Sequence, residues 1–364
     1  MIMDFVDLHS QQKLLKKNID KRIKKVLSHG KYILGPEVQE LEENLANFIG
    51  AKHCITCANG TDALLIALIA LGVKEGDEVI TPSFSYIAAA EMISLLKARP
   101  VFVDVSLKTF NLKKSDLSQA ITSKTKAIIP VSLFGQCPDM DEINKIASNF
   151  SIPVVEDAAQ SFGAKYKNKF SCNLSLISCT SFFPSKPLGC YGDGGALFTN
   201  NEDLAIKMKQ ICRHGQKERY HHIRLGMNSR LDTLQAAILL AKLEIYPNEV
   251  ISRNKIAQNY DGLFTEIGFS SIPYIESYNK SVYAQYTIKV PQRVEIQNIL
   301  KENNIPTAVY YPLPIHKQPV FLSKSKESLK NAEQLSKEVI SLPMHPYLKM
   351  EDQEKIVQLF EDII

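Results

Sequence analysis

Across the first two thirds of the chain, short apolar runs alternate with longer stretches of helical spacing. The runs are His53-Cys-Ile-Thr-Cys57, Glu78-Val-Ile-Thr81, Val101-Phe-Val-Asp104, Ala127-Ile-Ile-Pro130, Pro153-Val-Val155 and Ala196-Leu-Phe-Thr199. Runs this short, bounded by turn residues, predict buried strands. Helix signals lie between them: Asp139 with Glu142 makes a capping-box-like pair, Asn200 precedes a helical segment over 202–213, and an apolar helix is expected over 61–71. Strands separated by helices predict an open, mostly parallel α/β sheet covered on both faces. Ligands of such sheets sit at the carboxyl ends of the strands.

The pattern changes beyond Leu231. A helical stretch runs to about Phe264, with a break or bend expected near Pro247. Then come a half-buried strand over 283–289, a helix over 295–302, an extended stretch at 307–310, and helices over 331–340 and 351–360. At 364 residues the chain is long for one core. The expected division is an N-terminal segment with a large α/β domain, 1–245, and a smaller α+β domain, 246–364. Between Lys13 and Lys31, Leu15, Ile19, Ile23 and Val26 form an apolar stripe, which reads as a surface helix with a solvated basic face.

Composition narrows the function classes. With 45% hydrophobic and 23% charged residues, the chain matches an ordinary soluble enzyme. A net charge of +4 mildly favours an anionic ligand and is no nucleic-acid footprint. The apolar segment over 63–71 is too short to cross a bilayer, so no membrane insertion is expected. Asp4, Asp7 and His9 interrupt any export signal. Seven cysteines, an odd number, suggest reduced thiols and a cytoplasmic location. Cys54 and Cys57 form a C-x-x-C, but no second pair accompanies them, so packing is expected rather than a metal site.

The candidate chemistry centres on Thr180-Ser-Phe-Phe-Pro-Ser-Lys-Pro-Leu-Gly-Cys-Tyr-Gly-Asp-Gly-Gly-Ala196. A lysine between Pro184 and Pro187 does not belong to an ordinary surface helix. Upstream, Val154-Val-Glu-Asp-Ala-Ala-Gln160 reads as a buried strand that delivers Asp157 at its tip. A loop lysine with an acid at a strand end is what a pyridoxal phosphate enzyme needs. Lys186 would form a Schiff base with the cofactor aldehyde, and Asp157 would keep the pyridine nitrogen protonated. A third element, Cys57-Ala-Asn-Gly-Thr-Asp-Ala63, follows a strand and opens a helix, so Gly60 and Thr61 offer a phosphate seat at a helix N-terminus.

In this order the segments resemble the DegT/DnrJ/EryC1/StrS family, the sugar aminotransferases of pyridoxal phosphate fold type I. The resemblance spans nearly the whole chain. It runs from Gly30-Lys-Tyr-Ile-Leu-Gly-Pro36, through Asn59-Gly-Thr-Asp-Ala-Leu64, Glu156-Asp-Ala-Ala-Gln160 and Gly226-Met-Asn-Ser-Arg-Leu-Asp232, to Tyr311-Pro-Leu-Pro-Ile-His-Lys-Gln318. The blocks over 219–224 and 229–239 are most similar to a subgroup that installs a 3-amino group on UDP-linked 2-acetamido sugars for bacterial surface polysaccharides.

The resemblance implies pyridoxal 5′-phosphate on Lys186, pyridoxamine phosphate as its aminated form, L-glutamate as donor and a nucleotide sugar as acceptor. It implies Gly60, Thr61 and Ser181 at the phosphate, Gln160 near the ring oxygen, and Tyr86 stacked on the ring, with Phe84 close enough to compete. Asn228 would reach the phosphate from a partner subunit, making a homodimer with shared sites. Arg230 would clamp an anionic part of the sugar nucleotide, or else pair with Asp232. Tyr310, where relatives often carry histidine, and His316 would face the sugar; a tyrosine offers no positive charge to a carboxylate. The favoured acceptor is the 3-keto uronic acid. The 3-keto-N-acetylglucosamine and dTDP-keto-deoxysugars are alternatives. A sugar dehydrase, typically with histidine in place of the lysine, and a non-catalytic homologue are the competing classes.

Overall fold

The computed structural model describes residues 3–322 and 329–361. Two N-terminal helices, α1 (Leu8–His29) and α2 (Pro36–Ile49), precede β1 (His53–Cys57) and α3 (Gly60–Ala70). Alternation continues through β2 (Glu78–Pro82), α4 (Ala88–Leu95), β3 (Arg99–Val103), α5 (Lys114–Ala120), β4 (Thr125–Ile128), α6 (Met140–Asn149) and β5 (Val155–Asp157). The short strands β6 (Lys165–Tyr166) and β7 (Lys169–Phe170) lead to β8 (Ile177–Ser181), β9 (Gly195–Thr199) and α7 (Glu202–Ile211). A hairpin, β10 (Gln216–Glu218) with β11 (His221–His222), precedes α8 (Thr233–Glu266). The remainder is β12 (Asn279–Lys280), β13 (Tyr286–Lys289), α9 (Arg293–Glu302), α10 (Lys330–Glu338), β14 (Val339–Leu342) and α11 (Met350–Glu361).

Two strand groups, β1-β9-β8-β5 and β3-β2-β4, make the main sheet. Parallel bridges from Ile128 to Val154 and from Val131 to Asp157 join them edge to edge. Pairing is parallel between β5 and β8, β2 and β3, and β2 and β4; only β9 runs against its neighbours β1 and β8. The sheet is therefore mostly parallel, as the alternation predicts, and mixed through β9. Helix α3 buries apolar side chains nearly all round, Leu64, Ile66, Ala67 and Leu68 among them, against the sheet and its neighbouring helices. Among the described residues, no helix is long and apolar enough to cross a membrane.

Three local expectations shift. The cap of α7 is Asn201, which accepts the Leu204 amide at 2.9 Å, whereas Asn200 accepts the Lys52 amide. Helix α3 starts one residue early because Asn59 caps it, accepting the Asp62 amide at 2.7 Å. Helix α8 runs through Pro247 without a break. Its first half packs Leu239, Leu240 and Tyr246 into the core around Phe162 and Phe198, and its second half packs Ile256, Tyr260 and Phe264 against Tyr286, Ile288 and Phe360. Burial on both sides of the proline outweighs one missing amide. The expected division at 245/246 thus falls inside a continuous helix.

The antiparallel strand brings a glycine to the ligand end of the sheet. Gly195 lies opposite both Cys57 and Ser181. A Cβ there would collide with the Asn59 carbonyl and lie 2.8 Å from the Gly60 nitrogen, so only glycine lets β9 pass the turn that opens α3. Gly195→Ala should destabilise the fold by about 1–3 kcal/mol, as overpacking does, in a urea titration. Unchanged stability would mean that the turn has slack.

Candidate active site

The ends of β5 and β8 and the turn after β1 lie where the alternation predicts a ligand. At the tip of β5, Asp157 is 8% exposed, and its Oδ1 accepts the Ala159 amide at 3.1 Å. Burial pushes its carboxyl above the ordinary range, while that amide and the positive charge of Lys186 pull it back down. Lys186 shows the reciprocal effect: burial lowers its amine below an ordinary lysine, and Asp157 opposes the shift. The two groups are thus electrostatically coupled inside the protein.

The lysine loop is tightly tied. The Lys186 amide donates to the Phe183 carbonyl at 2.8 Å, and the Cys190 amide to the Phe182 carbonyl at 2.8 Å. Gly189 is pressed so close that a Cβ would lie 2.6 Å from the Phe183 and Pro184 carbonyl oxygens. Gln235 of α8 accepts the Tyr191 amide at 2.8 Å. A fully buried lysine, Lys242, lies with its ammonium 4.4 Å from the centre of the Tyr191 ring, and burial lowers its pKa to about 8.

At the start of α3, Asn59 takes the Asp62 amide on its side chain and the Ala63 amide on its carbonyl. This leaves the Gly60 and Thr61 amides without an acceptor among the described residues. A Cβ on Gly60 would lie 2.7 Å from the Ser181 Cβ and 3.3 Å from its hydroxyl, so Ser181 stands beside these donors. Two free amides at a helix N-terminus next to a serine hydroxyl suit a phosphate group. Together with a desolvated lysine and a buried acid, these residues fit pyridoxal phosphate.

Gln160 is 5% exposed; its Oε1 accepts the Phe134 amide at 2.8 Å, and its Nε2 donates to the Tyr311 hydroxyl at 3.2 Å. Tyr86 is 59% exposed and Phe84 fully buried, so Phe84 belongs to the core and Tyr86 is the ring open to a ligand. Tyr311, which the sequence did not single out beyond its motif, sits 6.1 Å from Phe84 and 6.3 Å from Tyr86, centre to centre. Tyr310 is half-buried, 6.3 Å from Phe5.

Other expected residues stand apart. His316 is 2% exposed, and both of its ring nitrogens are engaged, with Ser83 at 2.5 Å and Glu333 at 3.1 Å. Both nitrogens are thus committed to protein partners within this chain. Asn228 is exposed and bridges Arg213 through its backbone, and Arg230 is half-buried. Between them, the Ser229 hydroxyl accepts the Ala58 amide at 3.1 Å, tying their segment to the turn that opens α3. Sequence reasoning also passed over Glu156, fully buried beside Asp157 in the chain. Its carboxylate accepts from the Ser171 hydroxyl at 2.6 Å, the Ser178 hydroxyl at 2.9 Å and the Cys172 amide at 3.1 Å.

A model of the DegT/DnrJ/EryC1/StrS aminotransferase family matches residues 13–361. This chain belongs to that family. It is 59% identical to the UDP-2-acetamido-2-deoxy-3-oxo-D-glucuronate aminotransferase of Pseudomonas aeruginosa, over 95% of this chain and 96% of that protein. It is 38% identical to the UDP-N-acetyl-3-dehydro-alpha-D-glucosamine 3-aminotransferase of Acidithiobacillus ferrooxidans, over 96% and 95%. The crystal structure of S. venezuelae DesV in complex with a ketimine intermediate superposes with a TM-score of 0.96 at 33% identity, covering 99% of this chain and 98% of that one. The chain is therefore an aminotransferase of fold type I, and pyridoxal phosphate is its cofactor.

The depressed Lys186 amine has a pH signature. Its folded value lies below the ordinary 10.5, so between the two the unfolded chain binds more protons and stability rises with pH. In cofactor-free protein, acylation of Lys186 should rise with pH at a midpoint below that of surface lysines. Asp157→Asn should move the midpoint lower still, since it removes the charge that opposes the shift. A midpoint at or above 10.5 would show that the amine is hydrated.

Proposed function

We propose that this enzyme moves the amino group of L-glutamate to C3 of a UDP-linked 2-acetamido-3-keto sugar, with the 3-keto uronic acid favoured. The coupled pair of Lys186 and Asp157 carries the chemical part of this reading. The 59% identity to the Pseudomonas aeruginosa enzyme supports the sugar. Bound pyridoxal phosphate supplies a ring that takes up the electron pair left when a bond at the amino-bearing carbon breaks.

The protein's own groups do the rest. Lys186 Nζ, with its proton affinity lowered by burial, would hold the cofactor and, once free, would take the proton from the substrate carbon. Asp157 holds positive charge at the ring nitrogen. The Gly60 and Thr61 amides with Ser181 hold the phosphate. Gln160, fixed between the Phe134 amide and Tyr311, orients the ring edge.

A homodimer with shared sites is part of the proposal. Tyr220 and Leu225, exposed at 77% and 92%, flank the segment that holds Asn228 and Arg230, and Ile33, 46% exposed, bridges to Asp232. A second copy over this face would bring Asn228 to the neighbouring phosphate seat and Arg230 to the sugar nucleotide. The seven free, buried thiols suit a cytoplasmic enzyme supplying amino sugars for lipopolysaccharide or O-antigen. UDP-3-keto-N-acetylglucosamine is the second reading, favoured by Tyr310: burial pushes its phenol up, so it presents no charge to a carboxylate.

Enzyme aminated with glutamate should be offered UDP-linked 3-keto uronate, UDP-linked 3-keto-N-acetylglucosamine and a UDP-linked 4-keto sugar. The uronate should give the highest kcat/KM. Arg230→Ala should cost about 1.5–3 kcal/mol against it, as for a hydrogen bond to a charged group, and much less against the neutral 3-keto sugar. Preference for the 4-keto sugar would defeat the regiochemistry, and equal losses would assign Arg230 to the diphosphate.

A further inference from the structure

One short segment, 311–316, grips the loop that follows β2 at three separate points. The Tyr311 ring packs against Phe84 and Tyr86. The Ile315 amide donates to the Ser83 carbonyl at 2.8 Å. His316 Nδ1 meets the Ser83 hydroxyl at 2.5 Å, the shortest of the side-chain contacts here. Ser83 is fully buried, three residues before the exposed Tyr86.

The far side of the imidazole is anchored as well. His316 Nε2 meets Glu333 in the first turn of α10 at 3.1 Å, and His316 and Lys317 hold that carboxyl below its ordinary range. The same helix is fixed to the sheet by Asp104, at the end of β3, which accepts the Asn331 amide at 3.0 Å and the Ala332 amide at 2.9 Å. A line of contacts therefore runs from β3 through α10, Glu333 and His316 to Ser83, ending three residues from the ring open to the cofactor.

We propose that His316 is a positioning residue: through Ser83 it fixes the loop that presents Tyr86 to the cofactor, and it does not touch the sugar. If Nε2–H is donated to Glu333, Nδ1 is left to accept the Ser83 hydroxyl, which fixes both tautomer and ring orientation. A loop with a side-chain bond, a backbone bond and a ring contact to one partner segment has little freedom to tilt. Losing the histidine's share should loosen Tyr86 toward every ligand, the cofactor included. The kinetic arms of the test rest on the aminotransferase reading above; the cofactor arms do not.

The test compares H316Q, H316N, S83A and the double variant S83A/H316Q as holoproteins. A glutamine amide falls near the Nε2 position and keeps Glu333 while losing Ser83; an asparagine amide falls near Nδ1 and does the reverse. With no sugar present, H316Q and S83A should each bind pyridoxal phosphate about three- to tenfold more weakly and reduce the circular dichroism of its visible band. H316N should recover much of the loss. The glutamate and sugar half-reactions should slow by the same factor, and the double variant should be no worse than either single one, because one contact is being removed twice. S83A removes a single hydroxyl, so it carries the test even where a histidine variant folds poorly. A loss confined to the KM for the sugar, with cofactor binding and the glutamate step untouched, would make His316 a substrate contact and overturn the proposal. Additive losses in the double variant would also overturn it.

Discussion

The proposed chemistry depends on an amine and a carboxylate whose shifted proton affinities each compensate the other. Desolvation pushes Lys186 toward its neutral form and Asp157 toward its protonated form, and their mutual attraction opposes both shifts. The balance suits the proposed roles, a lysine more readily deprotonated than an ordinary one and an acid that meets a protonated ring. A hydrated lysine would stay protonated and inert. Without Asp157, nothing at the strand tip would hold positive charge on a pyridine nitrogen.

The fold serves this pair by assembling strand ends. Asp157 ends β5, Ser181 ends β8, and the turn into α3 follows β1, so each is placed by the sheet rather than by a free loop. The antiparallel β9 is the one strand that begins at this edge, and Gly195 lets it pass without displacing the Asn59–Gly60 turn. From above, the segment around Tyr311 and His316 reaches back to Gln160, Ser83 and Tyr86. Small errors in any of these placements would move the ring relative to Lys186, and reaction rates are steep in such distances.

What could be read in the sequence follows the range of the forces involved. Strands such as β1 and β2 were legible because they are short, apolar and bounded by turns, and the lysine loop because two prolines and its glycines mark it. Strand β8, Ile177-Ser-Cys-Thr-Ser181, lacks an apolar run; its Ser178 is buried because Glu156 accepts its hydroxyl. Pro247 was a misleading local signal, overruled by packing along both halves of α8. The bonds from Gln160 to Tyr311 and from Ser83 to His316 join residues 151 and 233 positions apart, and no local pattern encodes such pairs. His316 was legible as a motif residue, whereas its commitment to Ser83 and Glu333 was not.

In the proposed mechanism one lysine, Lys186, holds the cofactor. Lys242 makes the comparison sharp, because its amine too is lowered and it lies buried beside the same loop at Tyr191. Borohydride reduction of the purified, cofactor-loaded enzyme makes the bond between lysine and cofactor permanent, and peptide mass mapping then reads its position. The expected result is loss of the visible band and a single cofactor-modified peptide that carries Lys186. A modification on Lys242, or on any lysine other than Lys186, would contradict it.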